Sequence, residues 1–137
     1  MTATIAVIDD SPVVRLQVSK VLESAGYAIV TADDGKEAVR LIEERGNDIS
    51  LIICDLRMPK MDGMEVLRWV RQSAFAHVPF VMLTTEGSHR FVSEARELGV
   101  KGWIVKPFVD DMLVTAARRL VASGGGTSTR RPTRSIR

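Results

Sequence analysis

The chain has 137 residues, 45% hydrophobic and 26% charged, an ordinary composition for a single globular domain. No apolar stretch approaches the ~20 residues of a membrane-spanning helix, and the first residues lack the basic segment of a secretory signal. One cysteine, Cys54, excludes an internal disulfide. We therefore expect a cytoplasmic protein without membrane insertion, with Cys54 as a small buried side chain.

The net charge of +2 conceals an uneven distribution. Four of the 19 basic residues, Arg130, Arg131, Arg134 and Arg137, lie in residues 124–137, which contain no acid. Residues 1–123 then hold 15 basic and 17 acidic residues, a charge of about −2. A mildly acidic body with a basic end suggests that residues 124–137 form an interaction tail.

Short β-rich runs alternate with helical periodicity along the chain. The predicted strands are Ile5–Asp9, Tyr27–Thr31, Ile49–Asp55, Phe80–Thr84 and Trp103–Lys106. Predicted helices begin at Ser11-Pro12, at Asp33 or Asp34, after Gly63, at Ser88 and near Val109. Five strands alternating with five helices predict a doubly wound α/β domain, with a parallel sheet covered on both faces. We place this domain at residues 1–123 and a flexible Gly/Ser/Thr spacer with an Arg-rich end at 124–137.

Carboxylates follow two of the predicted strands. Asp9 and Asp10 end the first, and Asp55 ends the third. Ligands bind at the carboxyl ends of strands in open parallel sheets, so these acids are expected to share one site. Such a site needs a cation or protons to offset repulsion, and it offers a carboxylate nucleophile. Taken singly, Asp9-Asp10 could instead cap the first helix, and Asp55 could be a carboxylate without chemistry.

Four segments together resemble one family. They are Val7–Ser11, Cys54–Gly63, Met82–Thr85 and Val105–Phe108, spread over residues 4–123. In this order, each on the expected element, they are similar to the response-regulator receiver domain of the CheY type. The resemblance implies a flavodoxin-like (βα)5 fold.

The resemblance also implies a phosphoacceptor site. Asp55 would accept a phosphoryl group from the phosphohistidine of a histidine kinase. Asp10 and Asp55 would ligate Mg²⁺, with Asp9 acting through water and the backbone carbonyl of Arg57 as a further ligand. These oxygen donors suit Mg²⁺. Lys106 would pair with a phosphoryl oxygen, and a cis bond to the following proline is expected.

The same family implies a switch formed by Thr84 and Trp103. The Thr84 hydroxyl would donate to the phosphorylated Asp55, and the aromatic side chain would follow it inward. Trp replaces the Tyr or Phe usual in the family. The output partner would then dock on the fourth helix, fifth strand and fifth helix, and flagellar motor proteins are the partners that the resemblance suggests. Phe91, Val92 and Lys101 would lie near that face.

Enzymes of related architecture fit less well. A phosphatase of the haloacid dehalogenase kind would carry an acid two residues after its nucleophile, where this chain has Arg57. The glycine fingerprint of a dinucleotide site is absent after the first strand. We therefore expect no enzyme acting on an external substrate. Arg57 and Glu86 are expected to pair beside the phosphoryl group and to lengthen its lifetime.

The arginine tail has alternative interpretations. Its spacing resembles the arginine-rich extension of CheY-like cyclic-di-GMP effectors, the Cle group, and arginine forks suit both guanine and phosphate. This resemblance implies cyclic-di-GMP binding by Arg130, Arg131, Arg134 and Arg137. The alternatives are nonspecific binding to nucleic acid or an acidic surface, and a disordered end without function. No dedicated DNA-binding domain is expected, and the receiver body could also be only a docking scaffold.

Overall fold

The computed structural model describes residues 2–124. It contains five strands, five α-helices and one 3-10 turn at Gly46–Asp48. The strands are β1 Thr4–Ile8, β2 Ala28–Ala32, β3 Ile49–Cys54, β4 Phe80–Thr84 and β5 Gly102–Val105. The helices are α1 Pro12–Ser24, α2 Gly35–Arg45, α3 Gly63–Arg71, α4 His89–Glu97 and α5 Asp110–Gly124.

All five strands form one parallel sheet in the order β2-β1-β3-β4-β5. The chain proceeds from β1 to β2 in one direction and then crosses back to β3, so the order reverses between β1 and β3. Ligand sites of doubly wound sheets lie at the carboxyl ends of the strands flanking such a reversal. The register pairs Ile8 with Cys54, which places the residues that follow these two strands side by side. The predicted doubly wound fold is confirmed.

Alternation along β3 builds a core on each face of the sheet. Ile52 and Cys54 face the cluster covered by α2, α3 and α4, whereas Leu51 and Ile53 face the one covered by α1 and α5. All four side chains are buried, as expected for the central strand of a parallel sheet. The site therefore lies at the end of a strand that is packed on both faces.

Side-chain caps begin three of the helices. Ser11 accepts from the amide of Val14 at α1, and Asp34 accepts from that of Glu37 at α2. Asp62 and Glu65 form a reciprocal capping box at α3. Ser88 precedes α4, but its side chain makes no such bond. The first turn of α4 is thus less firmly fixed than those of α1 to α3.

β4 has the predicted bounds, and the ends of the other strands differ from the predicted ones by at most one residue. β1 ends at Ile8 because the Asp9 carboxylate turns back to accept from the Ser11 amide, 2.9 Å away, and such a turn stops a strand. α5 continues to Gly124, one residue past the predicted domain boundary. The four tail arginines lie outside the described residues.

Candidate functional site

Three carboxylates meet at the carboxyl edge of the sheet. Asp9 and Asp55 are 3% and 7% exposed, whereas Asp10 lies at the surface. One oxygen from each lies within 4.8 Å of the others. The site predicted from separate strand ends is therefore assembled as a single acidic pocket.

Backbone hydrogen bonds fix both buried acids. The amide of Asp55 donates to the carbonyl of Ile8 at 2.9 Å, which continues the β1–β3 pairing past the strand end. Asp55 Oδ1 accepts from the amide of Leu56 at 2.8 Å. Its second oxygen is thereby oriented independently of any side chain.

Lys106 brings a positive charge to these acids. Its Nζ lies 2.8 Å from Asp9 Oδ2 and 3.5 Å from Asp55 Oδ2. The Lys106–Pro107 peptide bond is cis, as the resemblance implied. The ammonium group thus bridges the acids that follow β1 and β3.

The negative charges of the carboxylates repel one another in this pocket. Burial raises the pKa of Asp9 above its ordinary value, the hydrogen bond from Lys106 opposes this shift, and the charge of Asp55 adds to it. Two buried carboxylates and one ammonium group leave net negative charge. All-oxygen donors with excess negative charge fit a hard divalent cation, so the residues present match the predicted metal.

Thr84 lies at the end of β4, beside β3, and is fully buried. Its Oγ1 accepts from the amide of Glu86 at 3.2 Å. A hydroxyl that accepts one hydrogen bond can still donate another. Thr84 is therefore positioned to sense an acceptor at the strand ends.

Trp103 on β5 is half-buried against the core cluster beneath α2 to α4. Its indole Nε1 donates to the carbonyl of Glu86 at 2.9 Å. The two residues of the predicted switch, Thr84 and Trp103, therefore bind opposite ends of the same residue in the β4–α4 loop.

Arg57 and Glu86 form the predicted pair, with Nη2 and Oε1 3.4 Å apart. The Arg57 guanidinium also lies over the ring of Phe91, 5.1 Å from its centroid. This places a flexible cation between the Asp55 loop and α4.

Similarity to known proteins decides the family. Residues 5–118 match the family model described as the response regulator receiver domain. The chemotaxis protein CheY homolog of Campylobacter jejuni is 33% identical over 122 residues, which cover 88% of this chain and 93% of that protein. The chain belongs to the response-regulator receiver family.

Solved receiver structures superpose closely on this one. CheY4, a chemotaxis protein of Vibrio cholerae, has a TM-score of 0.80 and 38% identity, covering 88% of this chain and 99% of that one. CheY in the CheX–CheY–BeF3–Mg complex of Borrelia burgdorferi has a TM-score of 0.81 and 27% identity, covering 85% and 87%. The acidic pocket of this receiver is of the kind typical of Mg²⁺ binding in the family.

Two contacts of this receiver's site were not foreseen. Arg15 Nη1 donates to the carbonyl of Asp9 at 2.6 Å, so α1 steadies the loop that carries Asp9 and Asp10. Gly63 lies so close to Asp55 that a Cβ there would stand 2.3 Å from the Asp55 carbonyl oxygen. A glycine directly after a helix-capping aspartate was the available sequence signal for the second contact.

Residues 2–124 of this receiver contain no helix long and apolar enough to cross a membrane. Cys54 is buried, as predicted, and His77 and His89 are exposed.

Proposed function

We propose that this protein acts as a response regulator of two-component, chemotaxis-type signalling and accepts a phosphoryl group on Asp55. The observation that carries the proposal is the contact of Lys106 with both Asp9 and Asp55 in an all-oxygen acidic pocket. An isolated strand-end carboxylate would need neither a second buried acid nor a lysine.

The chemistry is transfer from a phosphohistidine. A carboxylate oxygen of Asp55 attacks the phosphorus, the new O–P bond forms as the P–N bond breaks, and the released imidazole nitrogen takes up a proton. Mg²⁺ held by Asp10, Asp55 and the Arg57 carbonyl, with Asp9 acting through water, would neutralise the anions that this attack brings together. Lys106 pairs with a phosphoryl oxygen. Because the protein itself is the acceptor, we propose no enzymatic turnover of an external substrate.

The acyl phosphate then acts through Thr84. The Thr84 hydroxyl donates to a phosphoryl oxygen, and the side chain moves towards it. Because Thr84 Oγ1 accepts from the amide of Glu86 in the present structure, this movement is transmitted to Glu86. Trp103, held by the carbonyl of Glu86, responds to the same displacement. The equilibrium shifts towards an active surface on α4, β5 and α5. Phe91, Val92 and Lys101 contribute to this surface, and flagellar motor proteins are the partners that we propose.

Phosphorylation is tested with a purified histidine kinase or with acetyl phosphate in the presence of Mg²⁺. We expect the wild type to be labelled and Asp55→Asn to remain unlabelled. Lys106→Met, which retains Asp10, should be labelled at a rate different from that of the wild type. Labelling of Asp55→Asn at the wild-type rate would overturn the assignment. Beryllofluoride with Mg²⁺, present in the Borrelia complex, provides a stable analogue of the acyl phosphate.

The Arg57–Glu86 pair is proposed to slow hydrolysis of the acyl phosphate. Both side chains lie beside the expected phosphoryl position, and the pair restricts the approach of water. Arg57→Ala should therefore shorten the phosphorylated state. An unchanged dephosphorylation rate would show that the pair has no such role.

The tail proposal rests on sequence alone. We propose that Arg130, Arg131, Arg134 and Arg137, outside the described residues, bind the guanines and phosphates of cyclic-di-GMP. Calorimetric titration of the nucleotide into the full-length chain and into a version ending at Gly124 tests this. Heat from the full-length chain alone supports it, and no binding by the full-length chain refutes it. Binding that weakens steeply with salt and extends to any nucleic acid would instead indicate nonspecific attraction.

A further inference from the structure

Helix α4 is attached to the body by few contacts. Ala95 is the residue of this helix that is fully buried, and the Ser88 side chain does not cap its first turn. By comparison, α3 buries five residues and begins with a capping box. A helix with little buried surface and an uncapped start opens easily, so a single side-chain contact can change its stability measurably.

Two arginines reach α4 from the α3 side. Arg57 stacks over the Phe91 ring in the first turn, and Arg68 on α3 binds Glu94 one turn later. The two contacts differ in their distance from the phosphoacceptor. Arg57 is two residues from Asp55, whereas Arg68 lies within α3.

Arg57 is free to change partners. Its side chain is 60% exposed, and its present contacts are an ion pair at 3.4 Å and a ring. An exposed cation–π contact is weak. A phosphoryl dianion on Asp55 offers the same guanidinium bidentate, charge-assisted hydrogen bonds, which are substantially stronger. A phosphoryl group within reach of Arg57 would therefore compete successfully with the ring of Phe91.

We propose that the Arg57–Phe91 contact is a clasp that holds the first turn of α4 in the unphosphorylated protein and is released when Arg57 turns to the phosphoryl group. Release leaves the Phe91 ring uncovered on the proposed output surface. This link to α4 runs through a side chain on the β3–α3 loop, and it meets the Thr84–Trp103 switch only at Glu86, whose carboxylate pairs with Arg57. The inference rests on the proposed phosphorylation of Asp55.

A double-mutant cycle measured in two states tests the clasp. Arg57→Gln, Phe91→Leu and the double variant of the full-length chain are compared by hydrogen exchange of the α4 amides, with and without beryllofluoride and Mg²⁺. Phe91→Leu retains apolar bulk but lacks the ring face. Without beryllofluoride, we expect each single variant to speed exchange about two- to fivefold, the range of an exposed cation–π contact, with little further effect in the double variant. With beryllofluoride, this coupling should disappear.

Arg68→Gln is the matched control, since it removes a guanidinium contact to the same helix away from Asp55. Its effect on exchange should be equal in both states, and its disappearance with beryllofluoride would indicate general loosening of α4 and overturn the clasp. No coupling between Arg57 and Phe91 without beryllofluoride, or equal coupling in both states, would also overturn it. A separate outcome concerns the proposed function itself. If beryllofluoride with Mg²⁺ changes hydrogen exchange in the wild type no more than in Asp55→Asn, the proposed function is refuted, and the clasp with it.

Discussion

Replacing Lys106 by methionine should destabilise the metal-free protein in a pH-dependent way. The substitution keeps most of the aliphatic stem but removes the ammonium group 2.8 Å from Asp9 and 3.5 Å from Asp55. Both acids then keep their backbone hydrogen bonds but lose the ammonium charge, and an uncompensated buried charge costs several kcal/mol. Asp9, whose pKa burial already raises, can respond by binding a proton. At pH 7, protonating an ordinary aspartate costs about 4 kcal/mol, and this cost sets an upper limit on the stability that the substitution can remove.

At pH 5, protonating an ordinary aspartate costs only about 1.5 kcal/mol, so the upper limit on the lost stability is smaller. Burial already raises the pKa of Asp9, and losing Lys106 raises it further. The folded variant then retains a proton that the unfolded chain releases above about pH 4, so its stability falls as pH rises. We expect Lys106→Met to lower the free energy of unfolding by about 2 to 4 kcal/mol at pH 7 and by less than about 1.5 kcal/mol at pH 5.

Urea denaturation at both pH values, with EDTA present, measures this difference. Lys101→Met, which removes an exposed lysine, is the control and should change stability by less than about 0.5 kcal/mol. Added Mg²⁺ should restore more stability to the Lys106 variant than to the wild type, because no ammonium group competes for the same oxygens. An equal loss at pH 5 and pH 7 would refute the electrostatic reasoning and indicate lost packing of the lysine stem.

Three further substitutions probe the surroundings of the site. Gly63→Ala places a Cβ 2.3 Å from the Asp55 carbonyl oxygen. It should lower the free energy of unfolding by about 1 to 3 kcal/mol and slow phosphorylation by acetyl phosphate; wild-type stability and rate would contradict this. Trp103→Phe loses the bond to the Glu86 carbonyl and should cost about 1 kcal/mol in urea denaturation, so an unchanged midpoint would show that the bond contributes nothing. Val13, three residues after Asp10 in the chain, is 74% exposed. Val13→Asp should slow transfer from a histidine kinase about tenfold but leave acetyl phosphate labelling unchanged, as expected of a docking contact. Equal slowing of both reactions would indicate damage to the pocket instead.

The sequence was sufficient for the fold because its signals are local. β3 is apolar almost throughout, and serine or aspartate precedes α1, α2, α3 and α4, so each of these elements could be recognised without its neighbours. The choice between Asp33 and Asp34 as the α2 cap could not be made this way. The structure selects Asp34, whose Oδ1 lies 2.8 Å from the Glu37 amide, since only one side chain can point back over the first turn.

Some contacts of the site could likewise be predicted from the sequence, whereas others could not. Asp9, Asp10, Asp55 and Lys106 could be placed together because parallel strands deliver their following residues to one edge. The contact of Arg15 with the Asp9 carbonyl depends instead on the rotamer of a long side chain. No spacing in the sequence encodes that choice.

Glu86 makes some contacts through its backbone and others through its side chain, and this difference has consequences for signalling. Its amide donates to Thr84 and its carbonyl accepts from Trp103, so both contacts of the proposed switch use backbone atoms that any residue except proline would provide at this position. Its carboxylate alone contacts Arg57. The identity of residue 86 therefore affects the Arg57 pair, and through it the lifetime of the acyl phosphate and the contact with Phe91, while the Thr84–Trp103 connection is insensitive to it. A substitution at residue 86 should thus change the lifetime and the Phe91 contact while leaving the Thr84–Trp103 connection intact.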